Sequence, residues 1–457
     1  MNVDSAFMDK GSGLKPTNSK CLGLWLALLF MLWSSTIATS ARSSELNLRE
    51  AIRLAITDDP WLVGSDYRER ALRSEAISAR SLPDPSISLQ AANFPTDNFD
   101  FGQEPMTQVS VSVGQRLPRG NSLQLAADRK RAQAGEEPFL RQDRQARVTD
   151  RVTQLWLEAF VAQESIRLIQ EDRALFENLA DATRASYSTA VKRSRQQEVI
   201  RAQVELVRLD DRLDTLKEAL ASTKANLSEW VGEQAQRPLS GFQRRGSPSP
   251  VALPMASYAR AGRHPSVLAL DQRIKAKKLE VDLAREKYKP EWGLSARYGH
   301  RGDDPMGRQR SDLFSIGLTL DLPVRHRKRQ DQDVHAAASR VEALKTEKLL
   351  LVRELMAQSE AAVAALAHLD VRLLRYRQEL LPQMADQAKA ALVAYNNDEG
   401  DFAEAVRARI AQLNAKIDAL NIEVRRRQIV ATLTYLMGGE THTSVDALSQ
   451  QAGDSVQ

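Results

Sequence analysis

At 457 residues the chain is long enough for two or three compact domains. It has no apolar run adequate to a core of that size, and 27% charged against 5% aromatic residues suits long exposed helices better than a thick globule. The formal charge of +5 is spread along the chain with no basic-aromatic module, which argues against a nucleic-acid partner.

Residues 1–41 read as a signal peptide. Lys10, Lys15 and Lys20 precede an apolar run over 22–33, and small and polar residues follow up to a cleavage point after Ser40 or Ala41. The run is shorter than the ~20 residues of a spanning helix, so the mature chain is expected to be exported. Cys21, the only cysteine, lies ahead of the run and is not a lipid-accepting residue at a cleavage point. Its removal leaves neither disulfides nor thiol chemistry.

A first structural copy is expected over 42–232. Leu48, Ala51, Ile52 and Leu54 recur at helical spacing and stop before Pro60, and a second helix over 61–80 is ended by Pro83 and Pro85. Residues 86–92 set Ile87, Leu89 and Ala91 on one side of a strand, residues 94–105 make a polar loop, and 106–117 form the return strand. There Val109, Val111 and Val113 oppose Ser110, Ser112 and Gly114. A single helix from 123 to about Tyr187 would then run roughly 75 to 95 Å. Its partner, from about 195 to 230, carries Leu206, Leu209, Leu213, Leu216 and Leu220 in steps of three and four, the seam of an antiparallel hairpin.

A proline-rich linker is expected over 233–254, and a second copy over 255–438 repeats the order. A helix over 255–289 breaks at His264-Pro265. A strand over 291–299 sets Trp292, Leu294, Ala296 and Tyr298 on one face. Over 312–322, Phe314, Ile316, Leu318, Leu320 and Leu322 alternate with Ser315, Gly317, Thr319 and Asp321, the pattern of a strand wet on one side only. A helix over 329–395 has a seam at Leu366, Leu369, Leu373, Tyr376 and Leu380, with a distortion expected at Pro382. The return helix over 402–436 has Ile410, Leu413, Ile417, Leu420 and Val424, and 439–457 is a polar tail. Leu117-Pro118 lies 205 positions before Leu322-Pro323, as Pro60 does before Pro265 and Pro85 before Pro290, so the chain reads as a tandem duplication.

Strands of ~9–11 residues with this alternation can cross a bilayer in a barrel. Four per chain are too few, since single-chain outer-membrane barrels begin at about eight strands, and an open edge cannot face lipid. Several copies must therefore join.

The order of helices, strand pair and long hairpin, twice over, resembles the TolC-type outer-membrane efflux family from about Leu46 to Gly438. The resemblance is carried by LNLREAIRLAITDDP, LPDPSISLQAANF, the strand exits QRLPRG and DLPVRHR, and the Tyr395 to Ala408 turn followed by Met437-Gly438. The LPDPSISLQAANF stretch is most similar to the heavy-metal efflux (CzcC/CusC-like) branch. The resemblance implies a mainly α fold with a small β part and a homotrimer. The trimer would combine a twelve-stranded barrel in outer-membrane lipid with a periplasmic α-helical tunnel. The tunnel would dock to a periplasmic adaptor and, through it, an inner-membrane pump of the RND type. The function implied is passive efflux, with divalent or heavy-metal cations as the expected cargo.

By the same resemblance Glu404 and Arg407 lie where pore-constriction residues sit, with Glu198 matching Glu404 in the first copy. Tunnel-tip and adaptor-docking positions are Tyr187, Lys192, Arg193 and Arg195 in the first turn, and Tyr395, Asp398, Glu399, Gly400 and Asp401 in the second. A ring of carboxylates in a narrow mouth concentrates cations. Opposite charges on neighbouring tips can latch it, each exposed pair contributing at most ~1 kcal/mol.

The histidines, His264, His300, His326, His335, His368 and His442, show no paired ligand spacing, and no phosphate loop or nucleophile elbow occurs. No metal site, cofactor or enzyme activity is expected. Two alternatives stay open. One is the same duct serving multidrug efflux or type I secretion. The other is a periplasmic adaptor, which would carry a lipoyl-like or barrel domain in place of duplicated strand pairs.

Overall fold

The computed structural model describes residues 45–187, 194–241, 258–397, 399–400 and 402–438. The expected signal peptide, most of the expected linker and the tail lie outside them. The described residues from Leu46 onward belong to one unit.

Helix α1 (Leu48–Thr57) starts where the Asn47 side chain accepts the Glu50 N–H at 2.8 Å, and α2 (Pro60–Arg80) where Asp59 accepts that of Trp61 at 3.0 Å. Both are ordinary N-caps, and Pro60 fits the first helical position because no N–H is needed there. Strands β1 (Ser86–Ala92) and β2 (Gln108–Leu117) follow.

The single helix expected from residue 123 is two: α3 (Ser122–Ala134) and α4 (Glu137–Tyr187). Pro138 explains the correction, because it has no N–H for the Ala134 carbonyl and its ring would collide with it. The chain therefore turns at Gly135 and restarts, with Phe139 and Leu140 N–H groups donating to the Glu136 carbonyl. Helix α5 (Ser194–Val231) completes the first hairpin.

The beginning of the expected linker is ordered. Gly232–Gln236 forms a tight 3-10 turn, entered through Gly232 at φ +59, and Leu239 bridges in parallel to Leu46. Both leucines are buried.

The second copy comprises α6 (Tyr258–Ala261), α7 (Pro265–Glu286), β3 (Glu291–His300), β4 (Leu313–Asp321), a 3-10 turn (His326–Lys328), α8 (Gln330–Arg375), α9 (Leu381–Asn396) and α10 (Phe402–Leu436). The distortion expected at Pro382 is a single π turn over Tyr376–Leu380, which joins α8 to α9 and absorbs the hydrogen bond that proline cannot make. The four strands form one antiparallel sheet in the order β1-β2-β3-β4, which closes no barrel among the described residues.

Helix packing buries the seams largely against each other. In one cluster Trp156 stacks on Phe160 at 5.4 Å and packs with Val152, Leu227, Leu420 and Val424, while its indole N–H donates to the Leu46 carbonyl at 3.1 Å. In a second, Leu209 and Leu213 of the first hairpin meet Val406, Leu413 and Ile417 of the second. The two copies thus share their cores.

Candidate membrane face and hairpin-tip site

The sheet separates its residues by chemistry. Cross-strand neighbours run Leu89, Val111, Tyr298, Phe314 in one row and Ile87, Val113, Ala296, Ile316 in the next. Leu294 with Leu318, and Leu117 with Trp292 and Leu320, continue the face toward the helices. This face is uncovered: Phe314 is 68%, Ile316 72% and Leu318 66% exposed. The opposite face has rows Ser88, Ser112, Arg297, Ser315 and Ser86, Gly114, Ser295, Gly317. Ser88 and Ser112 hydroxyls lie 2.7 Å apart across it. An apolar area of this extent facing open space marks contact with another chain or with lipid. The outer edges of β1 and β4 are unpaired within the described chain.

The sheet is fixed at both ends by residues far apart in sequence. At the helix end, Arg119 pairs with Asp321 and, at 3.4 Å, with Glu291, and donates to the Lys287 carbonyl at 2.9 Å. Gly120 follows at φ +47, a backbone conformation that a side chain would strain, and an added Cβ would also displace the ends of the Glu286 and Lys289 side chains. At the loop end, Arg310 donates to the Gly102 and Glu104 carbonyls at 3.1 Å, and Arg301 to those of Ser311 at 2.8 Å and Pro105 at 3.4 Å. These arginines knit the two loops together.

At the second hairpin tip, α9 closes with Asn397 N–H donating to the Val393 carbonyl at 3.1 Å and Glu399 N–H to that of Ala394 at 3.0 Å. Gly400 lies against this last turn: a Cβ there would sit 3.0 Å from the Tyr395 nitrogen and from the Ala394 Cβ. Tyr395 packs half-buried on the cluster of Leu209, Leu213 and Leu413. Glu404 and Arg407 are exposed, three residues apart on one face of α10, while Ala403, Ala405, Val406 and Ala408 are buried. Arg407 Nε donates to the Ala403 carbonyl at 3.1 Å, and no ion pair joins it to Glu404 among the described residues. Glu399 is exposed.

Tyr395 thus lies at the end of α9, Glu399 and Gly400 in the connection, and Glu404 and Arg407 in the first two turns of α10. Tyr187 ends α4, and Arg195 and Glu198 lie in the first turns of α5. Lys192, Arg193, Asp398 and Asp401 lie outside the described residues.

Sequence reasoning missed a polar tie between the hairpins. Buried Asp172 of α4 accepts from Arg409 of α10 at 2.7 Å, Arg409 also reaches Gln412 at 2.8 Å, and Arg212 of α5 reaches Asn414 at 2.5 Å. An available signal was an acid at 172 one turn from Ile169, inside an apolar stripe. A second polar group surrounds His264, which caps α7. Ser266 N–H donates to its Nδ1 at 3.3 Å, and its Nε2 lies 3.0 Å from the Tyr435 carbonyl. Burial lowers the His264 pKa, outweighing the Asp143 carboxylate that raises it. Burial likewise pushes the Tyr435 phenol up to about 12. Among the described residues no three His, Cys, Asp or Glu side chains converge to hold a metal ion. No described helix is long and apolar enough to cross a membrane.

No family model and no curated protein matches the chain. Solved structures do. CusC, crystallised in a study of folding and transmembrane channel formation, superposes with a TM-score of 0.71 over 86% of this chain and 92% of its own, at 12% identity. The CmeC outer membrane channel of Campylobacter jejuni gives 0.71 over 99% and 97%, at 14% identity. The MtrE outer membrane channel of Neisseria gonorrhoeae in its open state gives 0.68 over 86% and 88%, at 14% identity. At these identities the likeness is one of fold: the chain has the fold of the TolC-type channels. CusC is no nearer in sequence than the other two.

Proposed function

We propose that the chain is the outer-membrane duct of a tripartite efflux system and works as a conduit, not as an enzyme. The observation that carries the reading is the sheet, whose uncovered apolar face backs onto a face of serine and glycine. In a barrel the first would meet lipid and the second water. Strands of 9 or 10 residues in β2, β3 and β4 give about 30 Å of length, enough for an apolar band of about 25 Å when tilted. Three copies, each joining its β4 edge to the β1 edge of the next, would give the twelve strands of a closed barrel and leave no edge in lipid. Exposed apolar residues on the hairpins, among them Val204, Val207, Leu350, Val371 and Leu374, would then be covered by neighbouring copies.

The helical body would form the periplasmic tunnel, with the adaptor at the hairpin tips and an inner-membrane pump of the RND type supplying the energy. Tyr187, Lys192, Arg193, Arg195, Tyr395, Asp398, Glu399, Gly400 and Asp401 are the docking positions of this proposal. Glu404, Arg407 and Glu198 line its constriction, where a carboxylate ring would favour divalent or heavy-metal cations.

The test is purification and planar-bilayer recording. Wild type is expected as a detergent-soluble, heat-resistant oligomer with a defined conductance; a lone water-soluble particle without affinity for micelles overturns the duct. Glu404→Gln with Arg407→Ala is expected to leave the oligomer intact and raise conductance, and an unchanged conductance removes the gate. For cargo, a deletion strain should become sensitive to one or more of zinc, cobalt, cadmium, copper and silver. Sensitivity to dyes and detergents alone would move the cargo to hydrophobic drugs.

A further inference from the structure

Immediately after β4 the chain reads Leu322, Pro323, Val324, then five basic residues, Arg325, His326, Arg327, Lys328 and Arg329. Such a run is ordinarily a solvated surface, but three features set this one apart. First, it stands at the helix end of the apolar face. Leu322 is 56% and Val324 80% exposed, and Trp292, Leu320 and Leu117 form the last cross-strand row beside them.

Second, the run is bounded on both sides by anchored acids, while its own cations form no ion pair within 4.0 Å among the described residues. Arg119 fixes Asp321 before it, and after it Tyr288 bonds Asp331 and Lys287 pairs with Asp333 at 2.7 Å. The Lys287 hydrogen bond holds the Asp333 carboxyl below its usual pKa, and Asp333 also lies within reach of the Arg329 charge, which lowers it further. Arg325, Arg327, Lys328 and Arg329 are exposed, and none is in an ion pair among the described residues. Elsewhere many arginines do meet an acid, as Arg141 with Glu69 and Arg409 with Asp172; here four cations stand together in five positions.

Third, the run leads into the N-terminus of α8, where the helix dipole disfavours cations. Asp331 and Asp333 of the first turn offset this for Arg329, but Arg325, Arg327 and Lys328 have no ion-pair partner among the described residues.

We infer that this basic collar binds the anionic headgroups of phospholipids in the membrane leaflet at the helix end of the sheet. The inference rests on the membrane reading above and deepens it. Apolar side chains that meet the acyl region, followed within a few residues by exposed cations that form no ion pair among the described residues, match a phospholipid's own order of tail and phosphate. Clusters of four or more Lys/Arg beside a membrane-embedded segment are attracted to anionic lipid within about a Debye length.

The experiment uses the mature full chain, reconstituted into vesicles of phosphatidylcholine with phosphatidylglycerol, and counts lipids retained by the oligomer in native mass spectrometry. Wild type should retain phosphatidylglycerol over phosphatidylcholine by roughly tenfold. The variant Arg325→Gln, Arg327→Gln, Lys328→Gln, Arg329→Gln should lose most of that preference, and so should wild type in high salt. A charge-keeping variant, Arg325→Lys, Arg327→Lys, Arg329→Lys, should retain it, which guards against misfolding as the cause. Arg308→Gln at the loop end should have no effect. Equal retention of the two lipids by wild type, undiminished preference in the glutamine variant, or loss of preference in Arg308→Gln would overturn the inference while leaving the duct standing. Failure of wild type to insert into vesicles of either composition would overturn the duct reading, and this inference with it.

Discussion

The sheet and the helical body dispose of their apolar side chains in opposite ways. In the body Trp156, Leu227, Leu413 and Leu433 are buried to 2% exposure or less, and several charged residues are paired, as Arg144 with Asp59 at 2.8 Å. In the sheet the largest apolar residues point outward and the small polar ones back onto each other. On the duct reading one chain would meet two solvents, mostly water around the helices and lipid around the strands. A change that breaks packing in the body should act through folding, whereas a change on the outer face of the sheet should act through the membrane and spare the isolated helices.

The largest effect is expected in the body. Trp156→Ala removes a stacked ring and a hydrogen bond from a closed core, and should cost about 3–5 kcal/mol, seen as a large drop in the midpoint of thermal unfolding by circular dichroism.

Leu318→Arg sharpens the contrast. It places a cation on the outer face and should cost about 2–4 kcal/mol per chain if that face lies in lipid, with loss of the heat-resistant oligomer from the membrane fraction. Thr319→Arg, one residue on and on the other face, should assemble. Equal behaviour of the two would break the comparison.

Between the hairpins, Asp172→Ala leaves the part-buried Arg409 without its carboxylate. It should cost about 1.5–3 kcal/mol, read as a lower unfolding midpoint with the oligomer still formed.

The smallest effect concerns His264. Its folded pKa is lowered by burial from an ordinary value near about 6.5, so the unfolded chain takes up the proton first. The stability contributed by the neutral ring is complete above that ordinary value and is lost as pH falls through it toward the lowered one. Asp150, whose carboxyl is raised by burial against hydrogen bonds from Gln154 and Thr432, responds in the opposite sense. The pH dependence of unfolding for wild type minus that for His264→Gln therefore isolates the imidazole, and a flat difference between pH 7 and 5 would remove it.

Much of this fold was legible because it is written in short-range periods. The strand over 86–92 and the helix over 402–436 follow directly from alternation and from a seam at three-and-four spacing, and the break before Pro265 from the ring itself. The interruption at Gly135 was missed although Pro138 was in view. A proline's effect falls on the carbonyl four residues earlier, so it must be read backwards along the chain. What periodicity cannot reveal is pairing across hundreds of residues. Arg119 with Asp321, Arg310 with Gly102 and Asp172 with Arg409 depend on how the two copies lie together. Of the proposed tip residues, Glu404 and Arg407 were marked by the family resemblance rather than by any local pattern, and nothing in the sequence indicated that Gly400 is pressed against Tyr395.

The four strands lie side by side in chain order, and neither outer flank is paired among the described residues. On the proposed trimer, every subunit is then at once the left-hand and the right-hand neighbour of another, and a single faulty member opens the wall for all. A strain making sound and defective copies in equal amounts would keep only about one intact ring in eight. Lesions in the strands should therefore be genetically dominant.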